Sequence, residues 1–277
     1  MPYLQTRDGT SLYFNDMGTG RPVVLIHGWP MNSDSWEHQT GVLVEAGFRV
    51  IAYDRRGFGR SDQPWHGYDY DTLADDLADL LAHLELRDAA LVGFSMGSGE
   101  VARYLARHGN ARISQAVIIA GVTPFLMRTH DNPDGIDRSA IQPLHDGLRA
   151  DRFGTLSGFA TGLLELEGKP EVIAEASRAW FLHQAMTASR QATLQTAEAW
   201  FSTDFRGDLA ANDVPTLILH GENDFGVPAG ISGRATAKLV REAKYVEFEG
   251  QGHALVVTHH AAVNAELVGF LTAHRSS

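Results

Sequence analysis

The chain has 277 residues, of which 44% are hydrophobic and 21% charged, proportions typical of a globular protein with a large buried core. Its net charge of -11 disfavours nucleic acids and anionic membrane surfaces as partners, and the lack of cysteine excludes disulfides and thiolate metal sites. The amino-terminal sequence has neither a basic start nor a long apolar run, and no later stretch is long enough for a transmembrane helix. We therefore expect a cytoplasmic protein without membrane contact.

Short apolar runs recur along the chain and have the length of strands buried on both faces. An amino-terminal segment with a turn at Asp8-Gly9 precedes them and is typical of an antiparallel hairpin. The runs occupy residues 22–27, 49–53, 89–93, 115–119, 215–220 and 245–248. We predict one strand in each run.

Helical patterns lie between these runs. A stripe of leucines begins after Asp71, and further helices are predicted over residues 96–108 and 261–273. Strands that alternate with helices indicate an α/β protein whose mostly parallel sheet is covered by helices on both faces.

A long stretch in the second half of the chain breaks this alternation. It contains a turn cluster at 131–135 and helix-like segments rich in Ala, Leu, Phe and Trp at 171–184 and 189–201. We interpret it as a mostly helical cap over the carboxyl ends of the strands, where open α/β sheets bind ligands. The predicted division is a core of residues 1–122 and 209–277 and a cap insertion of residues 123–208.

The sequence Gly93-Phe94-Ser95-Met96-Gly97 matches the G-x-S-x-G pattern of an activated serine. The same pattern also occurs in ordinary glycine-rich turns, so its position matters. Here it follows a predicted strand directly and precedes a predicted helix, and its two glycines suit a tight turn that leaves no room for side chains. Ser95 is therefore the candidate nucleophile.

A serine hydroxyl needs an adjacent imidazole to accept its proton at neutral pH. Of the 13 histidines, His253 lies in a glycine-containing loop just after the last predicted strand, from which it can reach back over the strand ends. Asp224 follows the penultimate strand and is the candidate for the acid that orients the imidazole, with Glu222 as its nearest competitor. His27 and His220 end strands and are expected to serve structure. The chain order serine, aspartate, histidine is the one found in α/β-hydrolases.

Acyl transfer also needs backbone donors for the negative charge that develops on the carbonyl oxygen. We predict that the Met96 N–H supplies one donor and the Trp29 N–H the other. Gly28 lets the Trp29 loop turn closely, and Pro30 restricts the conformation of Trp29. The pocket beside the serine is expected to be apolar, with lining side chains that include Phe94, Phe125, Phe159 and Leu163.

With these residues assembled, the chain resembles the cofactor-free bacterial haloperoxidase branch of the α/β-hydrolase fold, which includes aryl esterases, perhydrolases and some lactamases. The resemblance covers nearly the whole length and is carried by four segments, 27–30, 53–61, 68–77 and 93–97. It implies hydrolysis of small apolar or aryl carboxylic esters through an acyl-enzyme, with perhydrolysis as a side activity associated with Pro30. It implies no cofactor and no metal, and it suggests a homo-oligomer.

Three positions depart from the pattern of this branch. Ser98 stands where a glycine is usual, and Gly226 replaces a bulky aliphatic residue that faces the acyl pocket. Ala254 and Leu255 follow the candidate base in place of the usual Gly-Phe. Gly226 and Leu255 are therefore added to the predicted pocket, which we expect to be widened.

Other functions remain open on these residues. The same triad serves lactonases, lactamases, carbon–carbon bond hydrolases and hydroxynitrile lyases. A ligand-binding module that has lost turnover is a different class of hypothesis, against which the intact triad and donor loop argue. Dehalogenases and epoxide hydrolases need a carboxylate as nucleophile, so Ser95 excludes them.

Overall fold

The computed structural model describes residues 2–165, 174–241 and 243–273, and its strands form a single sheet of eight. The strands are β1 (Tyr3–Gln5), β2 (Ser11–Met17), β3 (Arg21–Ile26), β4 (Phe48–Tyr53), β5 (Ala89–Phe94), β6 (Ile113–Ile119), β7 (Thr216–Gly221) and β8 (Lys244–Phe248). Their spatial order is β1-β2-β4-β3-β5-β6-β7-β8. Strand β2 pairs antiparallel both with β1, in the predicted hairpin, and with β4, and the remaining pairs, from β4–β3 to β7–β8, are parallel.

Helices follow most strands and also fill the segment between β6 and β7. They are α1 (Glu37–Glu45), α2 (Tyr70–His83), α3 (Gly97–His108), α4 (Arg138–Ala150), α5 (Arg152–Glu165), α6 (Glu175–Thr187), α7 (Arg190–Ser202), α8 (Arg206–Ala210), α9 (Gly233–Leu239), α10 (Leu255–Thr258) and α11 (His260–Ala273). In the described part of the chain, no helix combines the length and the apolar character needed to cross a bilayer.

The central strands are buried on both faces because alternate side chains enter different cores. In β3, Val23 and Leu25 pack with the α1 and α11 side of the sheet, whereas Val24 and Ile26 pack with the α2 and α3 side. Each of these four side chains is fully buried, which stabilises the fold by about 1.5–3 kcal/mol per residue. The continuous apolar runs in the sequence therefore predicted the sheet correctly, and the predicted α/β fold with a mostly parallel sheet is confirmed.

The segment between β6 and β7 carries the helices α4 to α8, in agreement with its predicted helical character. Part of the predicted helix at 171–184 lies outside the described residues, and its described part begins at Glu175. Helix α8 runs across residue 208, where the boundary between cap and core was predicted. The division into a core and a cap remains a prediction.

Candidate active site

Ser95 lies in the turn between β5 and α3. Its φ is +52°, a left-handed conformation that costs a residue with a side chain about 1–3 kcal/mol. A Cβ atom on Gly93 would lie 2.5 Å from the Gly97 carbonyl oxygen, and one on Gly97 would lie 2.3 Å from the Ile26 carbonyl oxygen. The two glycines therefore let the turn close against the neighbouring strand, and Ser95 N–H completes it with a 2.8 Å bond to the Ile119 carbonyl oxygen.

Three side chains from three loops form a continuous hydrogen-bonded chain. His253 Nε2 lies 2.9 Å from Ser95 Oγ, and His253 Nδ1 lies 2.7 Å from Asp224 Oδ2. All three residues are buried, with exposed fractions of 6%, 4% and 3% for Ser95, His253 and Asp224. An imidazole that donates to a carboxylate through Nδ1 presents an unprotonated Nε2 to the hydroxyl. This is the arrangement a general base needs.

Backbone hydrogen bonds hold the loop of Asp224 against the loop of His253. Glu222 N–H donates to the Phe248 carbonyl oxygen at 3.0 Å, and Asn223 N–H donates to the Gln251 carbonyl oxygen at 2.8 Å. The Glu222 carboxylate accepts the Gly250 N–H at 3.0 Å, on the exposed side of this pair of loops. Glu222 thus binds backbone in the base loop, and Asp224 is the carboxylate that contacts the imidazole.

The Asp224 carboxylate is surrounded by groups that favour its charged form. Burial acts to raise its pKa, but the neighbouring imidazoles of His253 and His220 outweigh burial and hold the pKa well below the usual range. Its second oxygen accepts the Val227 N–H at 2.7 Å. Asp224 is therefore an anion at neutral pH and can stabilise a proton on His253.

Two backbone donors next to Ser95 are unused. Within the described residues, neither the Trp29 N–H nor the Met96 N–H donates a hydrogen bond to another group. A Cβ atom on Gly28 would lie 3.1 Å from the Ser95 Cβ, so the Trp29 loop passes directly beside the serine. The Trp29–Pro30 peptide bond is cis. Buried N–H groups are rarely left unpaired, so these two are available for a substrate oxygen.

A small cavity of about 30 Å³ opens at Ser95 and His253. Its remaining lining is Trp29, Val122, Phe159, Leu163, Trp200, Gly226 and Val227. The Trp29 ring packs edge-on against Phe159 at 4.8 Å between ring centroids. Of the predicted pocket residues, Phe159, Leu163 and Gly226 therefore lie at the cavity. The described residues contain no group of three or more His, Asp or Glu side chains placed to hold a metal ion.

Phe94, Phe125 and Leu255 are placed elsewhere. The Phe94 ring lies under the Trp29 loop and beside the His253 ring, 5.3 Å between centroids, where it supports the base without lining the cavity. The Phe125 ring lies 5.3 Å from the Arg206 guanidinium, and Leu255 is fully buried in the core. Phe94 and Leu255 are close to site residues in sequence and Phe125 follows β6 by six residues, but all three side chains pack against other residues away from the cavity.

Three lining residues were not predicted from the sequence. Val122 follows the end of β6, and Val227 follows Asp224 by three residues, so their positions after strands β6 and β7 could have indicated them. Trp200 comes from α7, and no local pattern distinguishes it from the other aromatic residues of that segment.

Ser98, which stands near the start of α3 where a glycine is usual, has a structural role. Its hydroxyl donates to the Ser95 carbonyl oxygen at 2.7 Å and accepts the Val122 N–H at 3.0 Å. A glycine at position 98 could make neither bond. The hydroxyl therefore ties the turn of Ser95 to one wall of the cavity.

Gly226 lines the cavity, and two side chains lie within contact distance of the space that a larger residue would occupy. Leu163 Cδ2 and Asp224 Oδ1 each lie 3.7 Å from the position that a Cβ on Gly226 would take, which is an ordinary van der Waals distance, and the widened pocket stays a prediction. We expect Gly226→Ile to raise the preference for acetate over butyrate esters about tenfold, because a branched side chain narrows the acyl space. The measurement is kcat/KM on p-nitrophenyl acetate and butyrate.

Gly230→Ile is the matched control for this variant, because a Cβ at Gly230 meets no atom within 4 Å. It makes the same change in the same loop but outside the cavity, and its chain-length preference should equal that of the wild type. An unchanged preference in Gly226→Ile would show that position 226 does not contact the acyl group.

Comparison with known proteins adds to this geometry. Residues 21–260 match a family model described as the alpha/beta hydrolase fold. The chain is 40% identical over 273 residues to a non-heme chloroperoxidase from Kitasatospora aureofaciens, covering 98% of this chain and 99% of that protein. It is 36% identical to a bifunctional esterase/perhydrolase from Acinetobacter calcoaceticus, with 98% and 99% covered. The crystal structure of a bromoperoxidase from Bacillus anthracis superposes with a TM-score of 0.93 and 44% identity, over 95% of this chain and 96% of that one.

Proposed function

The chain belongs to the α/β-hydrolase fold family and is a hydrolase, and on this premise we propose that it cleaves small carboxylic esters with Ser95, His253 and Asp224 as its catalytic triad. One observation carries the proposal. The hydrogen-bonded chain from Ser95 Oγ through His253 to Asp224 ends at the wall of an apolar cavity, beside the N–H groups of Trp29 and Met96, which donate to no group within the described residues. Each part of an acyl-transfer site is thus represented within one small region.

In the first half of the reaction, Ser95 Oγ attacks the ester carbonyl carbon and its proton passes to His253 Nε2. The carbonyl oxygen becomes an oxyanion, which the N–H groups of Trp29 and Met96 stabilise. The C–O bond to the alcohol or phenol then breaks as His253 returns the proton to the leaving oxygen. The product is an ester of Ser95, with Asp224 having stabilised the imidazolium in between.

In the second half, a small oxygen nucleophile attacks the acyl-enzyme while His253 accepts its proton and passes it to Ser95 Oγ. Water yields the carboxylic acid, and hydrogen peroxide yields the peracid. The names of the relatives, which include an esterase/perhydrolase and haloperoxidases, support both outcomes for this chain. We propose hydrolysis as the main reaction and perhydrolysis as a side reaction of the same intermediate.

The size and lining of the cavity support short, apolar acyl groups. Its volume of about 30 Å³ exceeds the roughly 10–15 Å³ that a cavity needs to hold one water molecule. Trp29, Phe159, Leu163 and Trp200 offer an apolar surface to an acetyl-sized group or to an aryl leaving group. Helices α5 and α7 supply three of these four side chains, which supports a cap that shapes the pocket.

The test compares how one acetyl-enzyme divides between reaction with water and reaction with hydrogen peroxide. Phenyl acetate and p-nitrophenyl acetate should form the same acetyl-enzyme, so the ratio of peracetic acid to acetate at a fixed peroxide concentration should be equal for the two esters. A ratio that depends on the leaving group would exclude a common acyl-enzyme. Ester hydrolysis no faster than that of Ser95→Ala would contradict the proposed function itself.

The location, the partners and the oligomeric state of the protein are proposed separately from its reaction. We propose a cytoplasmic location, and we propose no nucleic-acid partner on the basis of the net charge of -11. We also propose a homo-oligomer, on the resemblance to the haloperoxidase branch. Size-exclusion chromatography with light scattering measures the oligomeric state directly.

A further inference from the structure

His27, which directly follows β3 and was expected to serve structure only, is fully buried, and three groups lie within hydrogen-bond distance of its ring nitrogens. Its Nε2 lies 3.1 Å from the Arg55 backbone N–H, which can only donate. Nε2 is therefore the unprotonated nitrogen, and the proton of the neutral ring resides on Nδ1. Nδ1 in turn lies 2.8 Å from the Gly28 carbonyl oxygen and donates to it. Arg55 Nη1 lies 3.2 Å from Nδ1 but can only donate, so it makes no hydrogen bond to the protonated Nδ1.

The Gly28 carbonyl belongs to the same peptide unit as the Trp29 N–H. It also accepts the Met31 N–H at 3.0 Å, so two donors fix its direction. In a planar trans peptide, the C=O and the N–H point in opposite directions. Fixing the Gly28 carbonyl on one side therefore fixes the direction of the Trp29 N–H on the other, and the loop passes beside Ser95.

Arg55 holds His27 from a second direction. Its Nη2 donates to the His27 carbonyl oxygen at 2.7 Å, and its guanidinium forms a close ion pair with Glu100. The other oxygen of Glu100 accepts the Tyr53 hydroxyl at 2.5 Å. Glu100 is on α3, five residues after Ser95, so this pair connects the Trp29 loop with the helix that begins after Met96.

Burial and the nearby positive charge keep the His27 ring neutral, as its hydrogen bonds to Arg55 N–H and the Gly28 carbonyl oxygen require. Burial and the adjacent Arg55 guanidinium hold the pKa of His27 well below its ordinary value, so the ring stays neutral. The Arg55 and Glu100 side chains are 1% and 0% exposed. A buried ion pair adds little net stability compared with apolar residues of the same volume, so stability alone gives a weak reason for its presence.

We propose that His27, Arg55 and Glu100 are positioning residues that aim the Trp29 N–H at the substrate oxyanion. The inference rests on the proposed function, because an aimed N–H matters only where an oxyanion forms. None of the three side chains lines the cavity at Ser95. They act through the Gly28–Trp29 peptide, which they hold in one orientation before the substrate binds.

The test is the kinetics of Arg55→Lys. Lysine keeps the positive charge but cannot donate to His27 and Glu100 through one planar group. We expect kcat for p-nitrophenyl acetate, per active site titrated with an organophosphonate, to fall about 10- to 100-fold while KM changes less than about threefold. Affinity for a boronic acid, whose tetrahedral adduct places an oxygen in the same position, should fall by the same factor as kcat/KM.

Arg56→Lys is the matched control. Arg56 is the next residue in the chain, is buried, and forms an ion pair with Asp76 at 2.6 Å, and none of its described hydrogen bonds reaches residues 27–29. The two variants should lose similar thermal stability, but only Arg55→Lys should lose turnover per titrated site. Equal kcat in Arg55→Lys and the wild type, or an equal loss in both variants, would overturn the positioning role.

A second measurement does not depend on catalysis. In protein labelled with ¹⁵N-histidine, the His27 ring should be neutral at pH 7 with its proton on Nδ1, and Tyr53→Phe, which removes only the outermost hydroxyl, should leave this state unchanged. A proton on Nε2, or a doubly protonated ring, would overturn the arrangement. A wild type without esterase activity would instead remove the proposed function. The two failures are therefore distinguishable.

Discussion

Ser95→Ala is expected to lower kcat for phenyl acetate by about 10⁶-fold, with the fold and the affinity for product acid retained. The reason is that no other hydroxyl is held against His253 Nε2, since the 2.9 Å contact belongs to Ser95 Oγ alone among the described residues. The variant should also fail to react with an organophosphonate that modifies the wild type at one residue per chain. The measurements are steady-state kinetics and intact-protein mass.

Ser35→Ala is a suitable control for this loss. Ser35 is 8% exposed, close to the 6% of Ser95, and its hydroxyl donates to the Asn32 carbonyl oxygen outside the cavity. It should keep its turnover and its labelling. If Ser95→Ala is labelled as the wild type is, another residue is the nucleophile.

Asp224→Asn should lower kcat by about 10⁴-fold while leaving the protein folded. Asp224 Oδ2 accepts the proton-bearing Nδ1 of His253, and an amide NH₂ in that place would instead favour the tautomer with its proton on Nε2. That nitrogen could then no longer accept the Ser95 proton. The amide would also lose the negative charge that stabilises the imidazolium. Kinetics over a range of pH, with circular dichroism to establish folding, give the measurement.

Asp76→Asn separates this effect from the general cost of changing a buried carboxylate. Asp76 is 3% exposed and pairs with Arg56, away from the cavity. Its replacement should lower thermal stability but leave kcat within about threefold of the wild type, as expected for sites without shared contacts. A loss in Asp224→Asn no greater than in this control would mean that the Asp224 charge has no catalytic role.

The strands were predictable because burial on both faces leaves a continuous apolar run, as in β3, β5 and β7. Their positions agree with the structure to within two residues at each end. Helices α4 and α5 carried a weaker signal, since Pro143 lies inside α4 and three glycines interrupt α5. Both helices are held by packing within the segment between β6 and β7, which a local pattern does not reveal.

The residues of the candidate site likewise fall into those that the sequence predicted and those that it did not. Ser95, Asp224 and His253 each follow a strand, so the order of strands was enough to bring them to one edge of the sheet. Residues whose role depends on contacts with distant parts of the chain have no comparable pattern in the sequence. The Trp29 indole N–H donates to the Thr193 carbonyl oxygen at 3.3 Å across 164 residues of sequence. The tautomer of His27 likewise depends on Arg55, which lies on a different loop.

The most direct test of the account is a crystal structure of the enzyme inactivated by an alkyl phosphonate, which mimics the tetrahedral intermediate. We predict phosphorus bonded to Ser95 Oγ, the alkyl group in the cavity beside Phe159 and Leu163, and the phosphonyl oxygen within about 3 Å of the Trp29 and Met96 nitrogens. A phosphonyl oxygen turned away from both N–H groups, or an adduct on any other residue, would contradict it.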